Sequence, residues 1–269
     1  MNLRRSAAVL LRQVALLRIS PTRVVPLIAW VAIDIVLWGF ITRYLGSLGH
    51  APGAPDFTLT LLGAVLLWDF FGRIMQGVTT AFFEDVWSRN FLNLFASPIS
   101  VGEYVAGLVA SSILTSAVSL LVMLLLARFA FGLSLLAYGL PAAAFLGVLF
   151  LFGIALGIFA SAVVLRLGPA SEWLVWPIPA LLSPFAAVFY PLHVLPQWMQ
   201  AVAHLLPPAY VFEGLRALAA GRGVDGDGLL AGTLLALLQI ALALLFFGRV
   251  FRAALRSGLL ARYSAESVA

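Results

Sequence analysis

The chain has 269 residues, of which 63% are hydrophobic and 10% are charged, with a net charge of +5. Soluble domains carry about 25% charged residues, so this composition excludes an ordinary soluble domain and predicts an integral membrane protein. Since the chain contains neither cysteine nor lysine, a disulfide framework, a thiolate metal site and a Walker A phosphate loop are excluded, and any ATP hydrolysis must come from another chain.

Residues 1–20 are predicted to form an interfacial helix on the membrane surface. Arg5 and Arg12 lie opposite a helical face that is formed by Leu3, Ala7, Leu10, Val14 and Leu17. A helix with one apolar face and one basic face lies along the lipid headgroups. The alternative is a basic tail that only sets the membrane orientation.

The first two predicted membrane spans, 24–45 and 57–80, both carry charged residues. Each is long enough to cross the hydrocarbon core, which takes about 20 helical residues. Asp69 and Arg73 are four positions apart and can pair on one helix face, either as a structural ion pair or with a role in gating or the transport path. Asp34 has no local partner, so it is either protonated or meets a residue of another helix.

Residues 84–97 are predicted to form a short amphipathic helix on the cytoplasmic surface. One face holds Trp87, Phe91, Leu94 and Phe95, and the other holds Asp85, Arg89 and Asn93. Ser97-Pro98 stops this helix, and Ser100 with Glu103 forms a capping box for the next one. The segment is either a solvated connector or a docking element that passes force from a soluble partner into the spans. The residues predicted to make that contact are Glu84, Asp85, Trp87, Ser88, Arg89 and Phe91.

The third, fourth and fifth predicted spans cover 103–127, 140–165 and 172–192. The region from 129 to 165 contains no charge and is too long for one crossing, so a turn is expected before a helix that starts at Pro141. The fifth span differs from the others because it contains Pro177, Pro179, Pro184 and Pro191.

Residues 193–210 are too apolar for an exposed loop and too often interrupted by proline for a span. A re-entrant helical hairpin in the outer leaflet satisfies both observations. Glu213 and Arg216 follow it, three positions apart, and are predicted to pair at the outer boundary. The residues predicted for this exit region are Pro196, Trp198, Pro207, Pro208, Glu213 and Arg216.

The sixth predicted span covers 228–249 and precedes a cytoplasmic tail at 250–269. With six spans, twelve of the sixteen arginines fall on one side of the membrane. The positive-inside rule identifies that side as cytoplasmic, and both termini lie on it.

Arginines beside apolar runs favour anionic lipid headgroups as partners rather than nucleic acid. The three histidines have no metal-ligand spacing, so no metal site is expected. The sequence thus predicts a single all-α transmembrane domain.

Two blocks of the sequence carry a family resemblance. The first leads from Trp87 through Ser97-Pro98-Ile99-Ser100 to Glu103 and Gly107. The second contains Phe189-Tyr190-Pro191, Leu195-Pro196-Gln197-Trp198, Leu206-Pro207-Pro208 and Glu213-Gly214-Leu215-Arg216. With the arginine-rich start, these blocks resemble the membrane subunits of ABC exporters, the ABC-2 type permease family, over essentially the whole chain.

The resemblance implies a half-transporter in the inner (cytoplasmic) membrane that forms a dimer, usually of two identical chains. Each copy would bind a cytoplasmic ABC ATPase subunit, which holds ATP and Mg, so this chain would not itself be an enzyme. Residues 84–97 resemble the coupling helix that sits in a cleft of that ATPase. Residues 1–20 resemble the connecting helix, and 193–210 the re-entrant helices that close the exit. A path with few charges suits an amphipathic cargo such as a drug, a lipid or a lipid-linked glycan.

Two other function classes are considered. A proton-coupled secondary transporter would use Asp34 and Asp69, but it would not explain the 84–97 helix and would usually show an internal repeat. An intramembrane protease or lipid transferase would need a nucleophile with a base, or an acidic metal motif, within the spans, and the sequence shows neither.

Overall fold

The computed structural model describes residues 3–19, 21–48, 57–88, 97–132 and 139–257, which are helical with connecting turns and contain no strand. Within these ranges, two 3-10 helices, Pro169–Leu174 and Leu192–Val194, accompany nine α-helices. These are α1 (Leu3–Ile19), α2 (Pro21–Leu48), α3 (Phe57–Trp87), α4 (Val101–Phe131), α5 (Leu140–Leu167), α6 (Ile178–Leu182), α7 (Gln197–Ala203), α8 (Pro207–Ala219) and α9 (Gly226–Arg256).

Five helices are long and apolar enough to cross a membrane: α2, α3, α4, α5 and α9. The shortest of them have 28 residues, about 42 Å of helix for a hydrocarbon core of about 30 Å. The chain is therefore a multi-pass membrane protein. Its last helix reaches Arg256, so residues 250–256, predicted as part of a tail, continue α9 instead. Residues 258–269 lie outside the described ranges.

Local signals set where two of the long helices begin. The predicted capping box at α4 is confirmed, because the Ser100 side chain accepts the Glu103 backbone N–H and Glu103 accepts the Ser100 N–H. The predicted start of α5 at Pro141 is also confirmed, with Pro141 in the first turn, where a missing N–H costs no intrahelical bond.

Helices α3, α5 and α9 run in the same direction. The rings of Phe71 in α3 and Phe152 in α5 stack at 5.1 Å, and those of Phe159 in α5 and Phe246 in α9 are 5.4 Å apart. The order of further contacts fixes the direction: Gly153 and Gly157 of α5 lie against Ile74 and Val78 of α3 in the same order. Helix α8 packs on Phe145 near the start of α5 and on Gly232 near the start of α9, whereas Phe247 near the end of α9 is 6.1 Å from Phe82 near the end of α3.

Two glycines of α5 let it approach α3 closely. A Cβ on Gly153 would lie 2.9 Å from the Cβ of Ile74, and a Cβ on Gly157 would lie 2.7 Å from the Cβ of Val78. Both distances are far shorter than a normal carbon contact, so larger residues would force the helices apart. Small residues at such positions are a common feature of membrane helix packing.

Because α5 and α9 are parallel, the chain between residues 168 and 225 must return along the length of the bundle. The predicted fifth span, 172–192, is not a regular helix but a 3-10 helix, the five-residue α6 and a series of turns. Its prolines explain the difference, since each removes a backbone N–H and hinders the preceding helical turn. The prediction of one continuous helix here is corrected, and the count of six crossings stays a prediction.

One end of the bundle is marked by the position of α1. It comprises α1, the starts of α2 and α4 and the ends of α3, α5 and α9, and is called the α1 end below. The opposite end holds the starts of α3, α5 and α9.

Candidate functional site

Helix α1 packs against the bundle instead of lying apart from it. Val9 is buried against Gly107 of α4, where an added Cβ would come within 2.5 Å of the Val9 Cβ. One turn further along α1, Gln13 Nε2 donates to the carbonyl of Ala81 in α3 at 3.3 Å. Helix α1 therefore contacts both helices that flank residues 89–96, the centre of the predicted coupling segment.

An ion pair within this contact joins three helices. Arg12 of α1 pairs with the carboxylate of Asp85 in α3, and Tyr104 Oη of α4 donates to the same carboxylate at 2.8 Å. Asp85 and Tyr104 are fully buried, whereas the Arg12 side chain is 27% exposed. A buried carboxylate persists only when it is paired and hydrogen-bonded. These three residues, called the three-helix cluster below, hold α1, α3 and α4 together.

A second ion pair ties α1 to the start of α4. Arg5 Nη1 lies 3.6 Å from Glu103 Oε2, and the Glu103 side chain is nearly buried. Because Glu103 also accepts the backbone N–H of Ser100 at 3.0 Å, one carboxylate both caps α4 and attaches it to α1.

The predicted 84–97 helix differs from the structure at its start. Glu84 and Asp85 belong to the last turns of α3, so no separate helix begins at residue 84. The sequence pattern places Asp85 on an exposed polar face, but the side chain is fully buried, and that prediction is wrong. Its partner Arg12 lies 73 positions away in the chain, and no local spacing reveals such a contact.

Other residues predicted for coupling follow directly after this turn. Ser88 is exposed just beyond the end of α3. The side chain of Trp87, and all of Arg89 and Phe91, lie outside the described residues. Their role in docking stays a prediction.

The intramembrane charges form a triad between α2 and α3. Arg73 Nη2 lies 3.3 Å from Asp69 Oδ1 and 3.3 Å from Asp34 Oδ2. The predicted Asp69–Arg73 pair is confirmed, and the partner expected for Asp34 on another helix is Arg73. Asp34 is the most exposed member, with 37% of its side chain accessible, against 11% for Arg73. Two carboxylates around one guanidinium keep the group net negative when both are ionised.

The predicted Glu213–Arg216 pair is also confirmed, with 2.9 Å between Arg216 Nη2 and Glu213 Oε1. The same Glu213 oxygen accepts the backbone N–H of Leu192 at 2.6 Å, and Arg216 Nη1 donates to the carbonyl of Val188 at 3.4 Å. This pair therefore attaches α8 to the turn that precedes α7.

The remaining predicted exit residues occupy the same region. Pro207 and Pro208 are buried at the start of α8, where proline is well tolerated. Pro196 precedes α7 and its carbonyl accepts the Gln200 N–H at 3.0 Å. Trp198 is largely exposed.

Helix α8 lies along the half of the bundle away from the α1 end. The ring of Phe212 is 6.0 Å from that of Trp68 in α3, and Tyr210 packs on Gly232 near the start of α9. Just before α8, the Leu205 carbonyl accepts Gln239 Nε2 at 2.9 Å. Gln239 is 13 residues into α9, about 20 Å along the helix at about 1.5 Å per residue. The chain between α7 and α8 therefore lies beside the middle of α9 rather than beyond its start.

Sequence reasoning did not identify Tyr104 and Gln13. A tyrosine hydroxyl in the first turn of an apolar helix is a weak signal that a buried acceptor is near. Within the described residues, no group of three His, Asp or Glu side chains converges as a metal site.

The family model for ABC-2 type transporters matches residues 13–219, well over half of the chain. The chain belongs to the ABC-2 type transporter family. No curated protein matches it. The matched region begins directly after Arg12 and includes the other two members of the three-helix cluster, Asp85 and Tyr104, together with the intramembrane triad and α8. This protein is therefore a permease subunit of an ABC transporter. Permeases of this family are typically non-catalytic and generally pair with an ABC ATPase.

Proposed function

We propose that this ABC-2 permease is the membrane half of an ATP-driven exporter, with the α1 end in the cytoplasm of a cell whose inner membrane it spans. Both termini then lie in the cytoplasm. Eight arginines whose side chains are described lie at this end, which supports the orientation by the positive-inside rule: Arg4, Arg5, Arg12, Arg18, Arg166, Arg249, Arg252 and Arg256.

The observation that carries the proposal is the three-helix cluster. A separate ATPase that holds ATP and Mg would dock on the segment between Ser88 and Ser97. A push on that segment moves the end of α3 and the start of α4, and Asp85 and Tyr104 connect both helices to Arg12 of α1. Because their polar groups are mutually satisfied in a buried site, the three helices move as one unit.

Two copies of the chain would enclose the transport path. Five of the exposed residues of α2 follow a repeating three–four spacing and form one stripe: Trp30, Ile33, Leu37, Phe40 and Tyr44. A two-fold axis beside α2 brings these stripes together. Asp34 lies next to the stripe, so the triad would border the path between the copies.

The cargo proposed for this path is amphipathic: a drug, a lipid or a lipid-linked glycan. The support is the aromatic and aliphatic character of the α2 stripe beside one charged group. Alternating access would open the path first to the α1 end and then to the opposite end, where residues 193–210 and the Glu213–Arg216 pair would close the exit.

The proposal is tested with the purified chain and its co-expressed ATPase in liposomes. Efflux of an amphipathic dye should require ATP and the ATPase subunit together, and vanadate should stop it. Transport by this chain alone, driven by an ion gradient, would overturn the proposal.

The second candidate is a proton-coupled carrier that uses Asp34 and Asp69. One observation favours it: Asp34 is a partly exposed carboxylate within a membrane-spanning helix. Against it, both carboxylates are already paired with Arg73. The variant D34N distinguishes the two candidate functions, because it should abolish proton-driven uptake by a carrier but leave ATP-driven efflux by an exporter largely intact.

A further inference from the structure

One face of α9 changes from leucine to arginine without a break. Leu238, Leu242 and Leu245 are all more than half exposed, and exposed arginines continue the same four–three spacing at Arg249, Arg252 and Arg256. Residues at this spacing share one face of a helix. The point between Leu245 and Arg249 therefore marks where this face passes from hydrocarbon to headgroups.

The three arginines line an open groove of about 560 Å³ together with Ala253 and Ser257. Arg252 Nε donates to the carbonyl of Gly248 at 3.1 Å, which uses one of the five donors of that guanidinium. In the part of the chain that the structure describes, no carboxylate forms an ion pair with any of the three. Three neighbouring positive charges thus face outward, and none of them is paired with a carboxylate of the described residues.

The opposite face of the same segment is held firmly in the bundle. Phe247, Val250, Phe251 and Ala254 are buried, and the rings of Phe247 and Phe251 stack at 6.4 Å. Because this face anchors the helix, the arginine stripe has a fixed position at the edge of the membrane before any ligand binds.

We propose that Arg249, Arg252 and Arg256 bind the phosphate headgroup of an anionic phospholipid in the leaflet at the α1 end. A guanidinium presents paired N–H donors that match phosphate oxygens, and arginine is favoured over lysine for such bidentate contacts. The leucines above the site contact the acyl chains. An acidic protein surface would also attract three arginines, but it would not account for their direct continuation from a lipid-facing leucine stripe.

The site goes beyond the permease function, because lipid binding does not depend on cargo or on transport. It is tested by native mass spectrometry of the delipidated full-length chain, titrated with phosphatidylglycerol or with phosphatidylcholine. Each arginine near the membrane surface strengthens binding of an anionic lipid about fivefold. The triple variant R249Q/R252Q/R256Q should therefore bind phosphatidylglycerol about a hundredfold more weakly than the wild type. Binding of phosphatidylcholine should not change.

The matched control is R43Q/R128Q/R222Q, which removes three exposed arginines that lie on separate parts of the fold. It should keep nearly wild-type affinity for phosphatidylglycerol. Equal weakening in both triple variants would overturn the site in favour of a general charge effect. The site would also be overturned if R249Q/R252Q/R256Q kept its affinity for phosphatidylglycerol but no longer bound the ATPase subunit. That result would favour a protein partner. A thermal unfolding curve like that of the wild type confirms that the variant is folded.

Discussion

The guanidinium of Arg12 pairs with the carboxylate of Asp85, 73 positions later in the chain, at a point that solvent does not reach. This pair attaches the amino-terminal helix to the end of α3, directly before the segment proposed to receive the ATPase. Tyr104 extends the contact to α4. If the ATPase docks on that segment as proposed, α1 would be part of the coupling machinery rather than a separate membrane anchor.

Replacing Asp85 by Asn should weaken both folding and coupling. Asn keeps an acceptor for the Tyr104 hydroxyl but leaves Arg12 without its counter-charge, and breaking a buried pair in this way costs about 3 kcal/mol. We expect a lower melting temperature in detergent and loss of transport-coupled ATP hydrolysis by the complex. The exposed carboxylate of Asp227 provides the control, since D227N makes the same chemical change at the surface.

The double variant R12Q/D85N measures how much of the stability comes from the interaction between Arg12 and Asp85. If the two residues act through each other, the double variant should lose less stability than the sum of the single variants. Strictly additive losses would show that Arg12 and Asp85 act independently.

Helix packing predicts opposite effects for two glycines of α5. The change Gly157→Ala places a Cβ 2.7 Å from the Val78 Cβ, so it should destabilise the protein by about 1–3 kcal/mol through overpacking. Gly147 has no neighbour within 4 Å of the added atom, and Gly147→Ala should leave stability unchanged or raise it slightly. Melting temperatures of the two purified variants compare them directly, and a lower value for Gly147→Ala alone would contradict the packing described.

The proposed dimer predicts where single cysteines cross-link. The chain has no cysteine of its own, so L37C on the α2 stripe introduces one unique thiol beside the proposed two-fold axis. Oxidation in membranes should convert most of L37C to a disulfide-linked dimer. Leu238 on α9 is equally exposed but faces away from that axis, so L238C should stay monomeric. The reverse pattern would place the interface on α9.

Removing the charge of Glu213 should affect transport more than assembly. Glu213→Gln keeps an oxygen that accepts the Leu192 N–H but loses the ionic contact with Arg216, which is 2.9 Å away. Charge-assisted hydrogen bonds contribute about 1.5 kcal/mol, so dye efflux should fall about tenfold. Size-exclusion profiles should match the wild type, and unchanged efflux would remove the exit-gate role. Asp225→Asn, which preserves the cap of α9, is the control.

Sequence patterns predicted the structural features that depend on residues close together in the chain. The apolar runs located five long helices, and spacing of three or four residues located the capping box at Ser100 and the Asp69–Arg73 and Glu213–Arg216 pairs. Long-range partners were not predictable, because Arg73 meets Asp34 39 positions away and a local pattern does not show which helices pack together. The segment 172–192 was apolar enough for a span, but its prolines prevented a regular helix.

Site-specific cross-linking at Ser88 tests the central claim most directly. Ser88 is exposed at the α1 end, and Ser47 is exposed near the end of α2 on the opposite side of the bundle. In cells that co-express the ATPase subunit, a thiol–amine cross-linker on S88C should capture that subunit, and S47C should not. Capture from S47C, or none from S88C in a complex that still transports, would contradict coupling through the α1 end.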